Sequence, residues 1–425
     1  MHEIQDDHYL RAVTELGDTR KIVASCDIYS QNGVKLVASG IHITSGLYER
    51  LVKHKMLPTL DMALSIENVL DSKAILQDVL DLIQTNDKLK KMADTFDNNY
   101  CFYRRIILAI QLPAPLAFKL TVASEKYGRI YQHSLLLLII SVYLARCDRM
   151  NSQEVEWVAT AALLHDLGML HIEPRLLEPS HLMSIDEKRH LYTHPLTAYL
   201  LLCEFPGLCR HITEAVLEHH ERMDGSGYPR GLHGEKISRY GQILAVATLA
   251  AKLFDSDHSR MTWKKLGVIL KLNSRRYGQG LICHLDIFRD DLAAEQPSGS
   301  IDQEHIIAQA RLIAKLFEDF NRLSCPKCRD KFPDFVQTRL AELRLELFDA
   351  GFDSCDPDGL IQLFHDDPEC ISEYVPLLDE ALWRLKSLVL EISRHWSEKG
   401  EKYDRQSEKP EHVWLSEMGL LLHAA

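Results

Sequence analysis

Apolar residues recur along this chain with two different periods, and the change between them divides the chain into regions. Near the N-terminus, apolar runs at 22–28 and 34–38 flank Asn32-Gly33, a dipeptide typical of hairpin turns because both residues tolerate positive φ. A third short run covers 41–43, and Thr44-Ser45 can cap a following helix. The pattern therefore predicts a small β-hairpin and helix domain at the start of the chain.

From about Asp71 the apolar positions take on the spacing of a helix, as at Ile75, Val79 and Leu82, and they keep it to the end of the chain. The predicted helices span residues 128–147, 151–165, 184–194, 208–220, 243–254, 303–323, 334–350 and 374–396. Residues 275–302 are predicted to be loop. We therefore expect a mainly α protein in which a helical bundle carries a C-terminal helical extension.

Local signals set several of these helix ends. Capping boxes begin at Asn151 and Ser184, each with a glutamate three residues later. Gly168 suits the C-terminal end of a helix. Pro195 is expected to break the helix that ends near His194, because proline has no amide hydrogen to donate.

Composition narrows the class of protein. A chain of 425 residues accommodates two or three domains, and 46% hydrophobic with 26% charged residues is ordinary for a globular protein. The net charge of -12 argues against broad nucleic-acid binding, which needs a basic face, but it allows a locally positive nucleotide pocket. Without a visible signal peptide, and with ten scattered cysteines, we expect a cytoplasmic protein with reduced thiols. The apolar run 135–145 is too short to span a bilayer, so no membrane span is expected.

Histidines and one aspartate suggest a metal centre built from several helices. Imidazole and carboxylate ligands suit first-row ions such as Fe, Mn or Zn, and one carboxylate can bridge two metals through its two oxygens. Adjacent histidines project about 100° apart on a helix, so His219 and His220 can share a site only if the helix ends there. The predicted ligands are His133, His165, Asp166, His194, His219 and His220.

The segment after these histidines is too rich in glycine for a helix and is expected to form a loop. Tyr228 offers a stacking face for a guanine, and the glycines let the backbone approach a ligand or partner. A rigid turn that merely orients the histidines remains the alternative. The predicted substrate or partner loop comprises Gly225, Gly227, Tyr228, Pro229 and Arg230. Elsewhere, Cys325 and Cys328 resemble half a zinc knuckle, and zinc binding there is left open.

These motifs resemble the HD-GYP family of HD-domain phosphohydrolases over roughly residues 120–260. The matching segments are His165-Asp166-Leu-Gly168, His194-Pro195, the string from His219 to Leu232, and Gly234-Glu-Lys-Ile237. The resemblance implies an all-helical domain with two or three divalent metals. Fe or Mn is the first expectation for these metals, and Zn, Mg or Ni are the further candidates. It also implies hydrolysis of cyclic di-GMP to pGpG and GMP in bacterial signalling, with Asp166 and Asp224 as catalytic residues. A signalling-domain partner at the loop follows from the same resemblance, and a homodimer is left open.

Three positions depart from the family pattern. Thr248 stands where members place an aspartate that closes the first metal site, and a neutral hydroxyl is a poor ligand. Met169 replaces a lysine, and Arg129 stands where many members carry a glutamate. Asp255 is two helical turns beyond Thr248, about 10 Å away, which is too far to substitute without rearrangement. The position served by His133 and His165 is therefore expected to lack a ligand.

The sequence thus predicts a metal-dependent cyclic di-GMP phosphodiesterase. The alternative is a catalytically impaired HD-GYP module that binds a nucleotide or a protein and transmits a signal. We predict a β-rich regulatory domain, a helical connector, the phosphohydrolase domain and a C-terminal helical region. Their expected limits are 1–70, 71–115, 116–292 and 293–425.

Overall fold

The computed structural model confirms a mainly α protein with a small β region near the N-terminus. The structure describes residues 7–97, 99–178, 181, 183–251, 273–285, 287, 302–323, 334–366, 371–398 and 414. Asp255, Cys325 and Cys328 lie outside these residues, so the predictions made for them stay predictions. The chain divides into two compact units. The first comprises 1–255 with 276–284, and the second comprises 256–275 with 285–425.

Helix α1 (Asp7–Leu16) precedes five short strands that form two small antiparallel sheets. The strands are β1 (Ile22–Ala24), β2 (Ile28–Ser30), β3 (Lys35–Val37), β4 (Met56–Leu57) and β5 (Leu64–Ile66). The hairpin predicted around Gly33 is confirmed: β2 pairs with β3, and Gly33 has a φ of +75°. The first apolar run is split, because β1 pairs with β5 whereas β2 pairs with β3 and β4.

The end of this region differs from the sequence prediction. The expected third strand is reduced to an isolated bridge between His42 and Val23. The expected helix begins as a 3-10 turn at Ser45–Leu47 and continues as α2 (Tyr48–Leu51), while Thr44 makes no side-chain capping hydrogen bond. Helix α3 (Leu60–Ala63) then leads into β5.

A buried ion pair joins the N-terminal region to the helical bundle, and both belong to the first compact unit. Lys119 on α7 (Ala114–Lys126) is 2% exposed, and its Nζ lies 2.6 Å from Oδ2 of Asp61. The same ammonium lies 3.8 Å from the ring centroid of Tyr9, whose hydroxyl donates to Asp61. Breaking such a pair leaves an uncompensated buried charge, which is strongly destabilising. The predicted boundaries at 70 and 115 therefore fall inside a single unit.

The helices of the first unit form a bundle in which α8 (Gly128–Cys147) packs against α7, α9 (Ser152–Leu164) and α13 (Arg239–Ala251). Its remaining helices are α4 (Ser72–Thr85), α5 (Asp87–Asp94), α6 (Cys101–Ala109), α10 (Ile185–Leu191), α11 (His194–Cys203) and α12 (Arg210–Glu218). In the described part of the chain, α8 alone is long and apolar enough to cross a membrane, yet 72% of that stretch is buried inside the protein. The core helix of a bundle meets the same criteria, so α8 is weak evidence for a span.

The predicted capping boxes at Asn151 and Ser184 are confirmed. Two other end signals act differently from the prediction. Pro195 does not break a helix, since α10 has ended at Leu191 and Pro195 lies in the first turn of α11, where its missing N–H costs no hydrogen bond. Gly168 belongs to a 3-10 turn, Leu167–His171, and a Cβ there would lie 2.1 Å from the carbonyl oxygen of His194. Glycine is therefore needed for close packing of this turn on α11.

The second unit contains four described helices of more than one turn around an apolar core that includes Phe317, Leu340, Phe364 and Leu378. These helices span Gln303–Leu323, Asp334–Asp349, Pro357–Asp366 and Ile371–Glu398. Three match the prediction, and the helix at Pro357–Asp366 was not predicted. The expected loop at 275–302 is wrong at its start, where short helices cover Ser274–Tyr277 and Gln279–Ile282.

Candidate metal centre

The predicted ligands converge in two neighbouring triads within the first unit. His194, His219 and His220 form one triad, and His133, His165 and Asp166 form the other. In each triad the potential ligand atoms lie within 4.8 Å of one another. We call them the His194 triad and the His133 triad. The ring centroids of His165 and His219 are 4.9 Å apart, so the triads adjoin.

Three of the histidines are oriented by the same local device. Each lies at a helix end or start, where its Nδ1 reaches the carbonyl oxygen three residues earlier. His165 bonds to Ala162 at 2.7 Å, His194 to Leu191 at 2.7 Å, and His219 to Val216 at 2.6 Å. A carbonyl oxygen only accepts, so Nδ1 carries the proton and Nε2 presents its lone pair. Ligating histidines in proteins are commonly fixed in this way.

The Nε2 lone pairs and Asp166 meet at one point. Nε2 of His194 lies 3.2 Å from Nε2 of His219 and 3.4 Å from Oδ1 of Asp166. Among the described residues this Oδ1 is buried without a hydrogen-bond donor. Three acceptors at such distances repel one another unless a cation lies between them. Two imidazole nitrogens about 2.1 Å from one metal, at an angle of about 90–109°, are roughly 3.0–3.4 Å apart, so the geometry fits a metal ion.

The electrostatics favour the protonation states that bind metal. Burial raises the pKa of Asp166, but the surrounding imidazoles, led by His165, more than offset this and hold that pKa well below its usual value. Burial lowers the pKa of His194, and burial with the neighbouring imidazoles lowers the pKa of His219 much further. Near neutral pH the carboxylate is therefore ionised and these imidazoles are neutral, as ligands must be.

The His133 triad has three donors, whereas the His194 triad has three donors and, in addition, Oδ1 of Asp166 nearby. Oδ2 of Asp166 lies 3.2 Å from Nε2 of His165, and the rings of His133 and His165 are 5.4 Å apart. Helix α13, which carries Thr248, packs against α8, which carries His133. The hydroxyl of Thr248 is buried and donates to the carbonyl oxygen of Leu244 at 2.9 Å. This hydroxyl is already used within its own helix and adds no charge to the triad.

The glycine-rich loop folds back over the end of α12. Tyr228 donates its amide to the carbonyl oxygen of His220 at 3.1 Å. A Cβ on Gly227 would lie 2.4 Å from Cα of Glu221, so only glycine allows this approach. The buried carboxylate of Glu221 accepts the amides of Arg230 at 2.7 Å and Leu232 at 2.9 Å, which closes the loop. These contacts support the alternative of a rigid turn.

The ring of Tyr228 stacks on protein side chains, so the predicted stacking on a guanine stays a prediction. The ring stacks on Tyr192, with centroids 4.2 Å apart and planes at 13°, and on His220, with centroids 4.6 Å apart and planes at 26°. Pro229 follows Tyr228, and the guanidinium of Arg230 donates to the buried carboxylate of Glu218. The ring faces of Tyr228 are engaged by protein side chains.

Asp224 anchors the loop and is in neither triad. Its Oδ1 accepts the amide of Ser226 at 2.9 Å and the hydroxyl of Ser226 at 2.7 Å, and its Oδ2 lies 3.2 Å from Nε of Arg276. Gly225, with a φ of +78°, packs on the ring of His233. The predicted catalytic role of Asp224 stays a prediction, while these contacts favour a structural one.

Sequence reasoning missed two residues of this site. Tyr192 precedes His194 by two positions, and neither a motif nor a period marks it. Arg276 lies far beyond Asp224 in the chain, so only the fold reveals their pairing. Arg129, which departs from the family pattern, is exposed in the structure.

Comparisons with known proteins show what part of the chain is similar to. Residues 118–265 match the model of the HD domain family. The chain's metal-ligand triads and glycine-tyrosine-proline loop, together with relatives named as cyclic di-GMP phosphodiesterases, support a similarity to the HD-GYP branch of that family.

Three relatives illustrate the similarity. The chain is 32% identical over 128 residues to the cyclic di-GMP phosphodiesterase response regulator RpfG of Xanthomonas campestris, covering 30% of this chain and 34% of that protein. It is 34% identical over 116 residues to a cyclic di-GMP phosphodiesterase of Thermotoga maritima, covering 27% and 30%. It is 28% identical over 117 residues to the 3'3'-cGAMP-specific phosphodiesterase 3 of Vibrio cholerae, covering 28% and 25%. The chain thus matches about a third or less of each relative's length.

Proposed function

We propose that this chain is a metal-dependent phosphodiesterase that hydrolyses a cyclic dinucleotide, with cyclic di-GMP as the first candidate. The observation that carries the proposal is the carboxylate of Asp166, whose two oxygens face different triads. The names of the relatives support this substrate class, and they include enzymes for both cyclic di-GMP and 3'3'-cGAMP.

Each triad would hold one of two divalent ions. The His194 triad with Oδ1 of Asp166 would hold one divalent ion, and His133 and His165 with Oδ2 would hold a second. Bound divalent metals lower the pKa of water and neutralise charge on a phosphoryl group. The backbone-fixed imidazoles keep their Nε2 lone pairs aimed at the centre without reorganisation. The metals are proposed to be Fe or Mn, since imidazole and carboxylate donors suit both.

A second function, signal transmission without turnover, is favoured by two specific observations. Thr248 brings no charge to the His133 triad, and Met169 leaves out the family's lysine. Two-metal catalysis needs both positions filled, so a weak second position would leave a protein that binds a cyclic dinucleotide and hydrolyses it slowly.

The deciding experiment measures turnover and metal content together. Protein loaded with Mn²⁺ or Fe²⁺ under anaerobic conditions is incubated with cyclic di-GMP and, separately, with 3'3'-cGAMP, and linear products are separated by chromatography. We expect hydrolysis of at least one of them that Asp166→Asn abolishes. No turnover by protein that holds stoichiometric metal would leave the binding module as the function. Turnover unaffected by Asp166→Asn would contradict the proposed site.

A further inference from the structure

We propose that Tyr192 and Tyr228 are positioning residues that hold the imidazole of His220 in the metal centre through a stack of three rings. The inference rests on the proposed function, because it takes His220 to be a metal ligand. It assigns a role to Tyr192 and gives the tyrosine of the loop a task other than binding a base.

The three histidines of the His194 triad differ in burial and in their contacts. His194 and His219 are each 1% exposed, and the carbonyl oxygen three residues earlier fixes each ring. His220 is the half-buried member and follows the end of α12. Its ring packs 4.1 Å from that of His219 and 5.0 Å from that of His194. The ring of His220 therefore packs against both other imidazoles of the triad, and contacts with its remaining surface add to how firmly it is held.

The ring of Tyr228 covers His220. Tyr228 stacks on this imidazole with centroids 4.6 Å apart. The backbone fixes where Tyr228 lies, because its amide bonds to the His220 carbonyl oxygen and Gly227 rests directly on Glu221. The loop thus carries its tyrosine at a fixed offset from the histidine that it covers.

Tyr192, from a different part of the chain, completes the stack. Tyr192 lies between α10 and α11 and stacks on Tyr228 at 4.2 Å with planes only 13° apart. Two residues later the same segment supplies His194 to the triad. One segment therefore provides one ligand and supports a second. Aromatic pairs contribute beyond the area that they bury, and the partners that orient metal ligands change metal affinity when removed.

The test is a double-mutant cycle on cobalt affinity, measured by competition with a chromophoric chelator and followed in the visible spectrum of bound Co²⁺. Tyr192→Ala and Tyr228→Ala are expected to weaken binding about 2- to 10-fold and to alter the spectrum. Tyr192→Phe keeps the ring and should retain wild-type affinity, and Tyr192→Leu keeps apolar bulk and should not. In a His220→Ala background, Tyr192→Ala should cause no further loss.

Matched controls separate positioning from general stability. Tyr199→Ala removes a tyrosine from α11, outside the stack, and should leave cobalt affinity unchanged. Melting of each metal-free variant reports folding independently. An equal loss from Tyr192→Ala with and without His220, or wild-type affinity in Tyr192→Ala and Tyr192→Leu, would overturn the inference alone. A wild-type protein that takes up no cobalt would overturn it together with the proposed function.

Discussion

The two triads share one carboxylate but differ in how completely they surround a cation. The His194 triad offers three imidazoles and Oδ1 of Asp166, and two of its rings are locked by backbone carbonyl oxygens. The His133 triad offers two imidazoles and Oδ2, with Thr248 on the adjoining helix already bonded to Leu244. Affinity for a divalent ion depends on the number, charge and orientation of its donors. We therefore infer one strong and one weak metal position.

The largest effect should come from the residue that both triads use. Asp166→Asn removes the charge and leaves an amide whose nitrogen cannot bind a metal, so both positions should lose their metal and turnover should fall at least about 100-fold. Elemental analysis and product formation measure the two losses. Asp186→Asn is the control, since that carboxylate is 92% exposed on α10. Full metal content in Asp166→Asn would show that the triads do not share this ligand.

A paired comparison then distinguishes the triads. His219→Ala should weaken the strong position about 100-fold, whereas His133→Ala should affect only the weak position, and that by about 10-fold. The reason is that His219 contributes a buried, oriented lone pair 3.2 Å from His194. Chelator competition with Mn²⁺ gives both affinities. The opposite order would contradict the ranking of the two positions.

The turn that follows Asp166 packs on α11 through Gly168, and this packing can be disturbed without changing a candidate ligand. Gly168→Ala places a Cβ about 2.1 Å from the His194 carbonyl oxygen, which forces the turn after Asp166 away from α11. We expect a loss of about 1–3 kcal/mol in the free energy of unfolding and about 10-fold weaker metal binding at both positions. Denaturant titration and chelator competition measure these quantities. Gly207→Ala, where a Cβ would meet nothing within 4 Å, should change neither.

The smallest expected effect is an increase in metal affinity. Thr248→Asp adds a carboxylate to the His133 triad and should raise Mn²⁺ affinity there about 3- to 10-fold. In the metal-free protein the new carboxylate is a buried charge, so unfolding should become easier by about 1–3 kcal/mol, and metal should restore the loss. Thr248→Asn is the uncharged control. Unchanged occupancy would mean that Thr248 does not face the second position.

The sequence specified what local chemistry and periodicity can encode. Helices α8 and α9, both capping boxes and the hairpin at Gly33 follow from short-range signals. The convergence of the candidate metal ligands could be predicted from the sequence, because their motifs are distinctive. Long-range pairings were not, since the contact of Tyr192 with Tyr228 and that of Lys119 with Asp61 join segments with no shared pattern.

The expectations for Gly168 and Asp224 depended on tertiary contacts that the sequence does not reveal. Gly168 was read as a helix end, but tertiary packing against His194 is what excludes a side chain there. The family resemblance implies a catalytic role for Asp224, whereas its carboxylate is bonded to Ser226 and paired with Arg276, contacts that favour a structural role. In both cases the residue type was informative, and its partner became visible only in the fold.

Calorimetric titration of the metal-free protein with Mn²⁺ tests the central claim most directly. The account predicts two separate binding steps, the first strong and the second at least about tenfold weaker, with both absent in Asp166→Asn. Two equal steps would contradict the asymmetry between the triads. Binding that survives in Asp166→Asn would contradict the shared carboxylate on which the whole site depends.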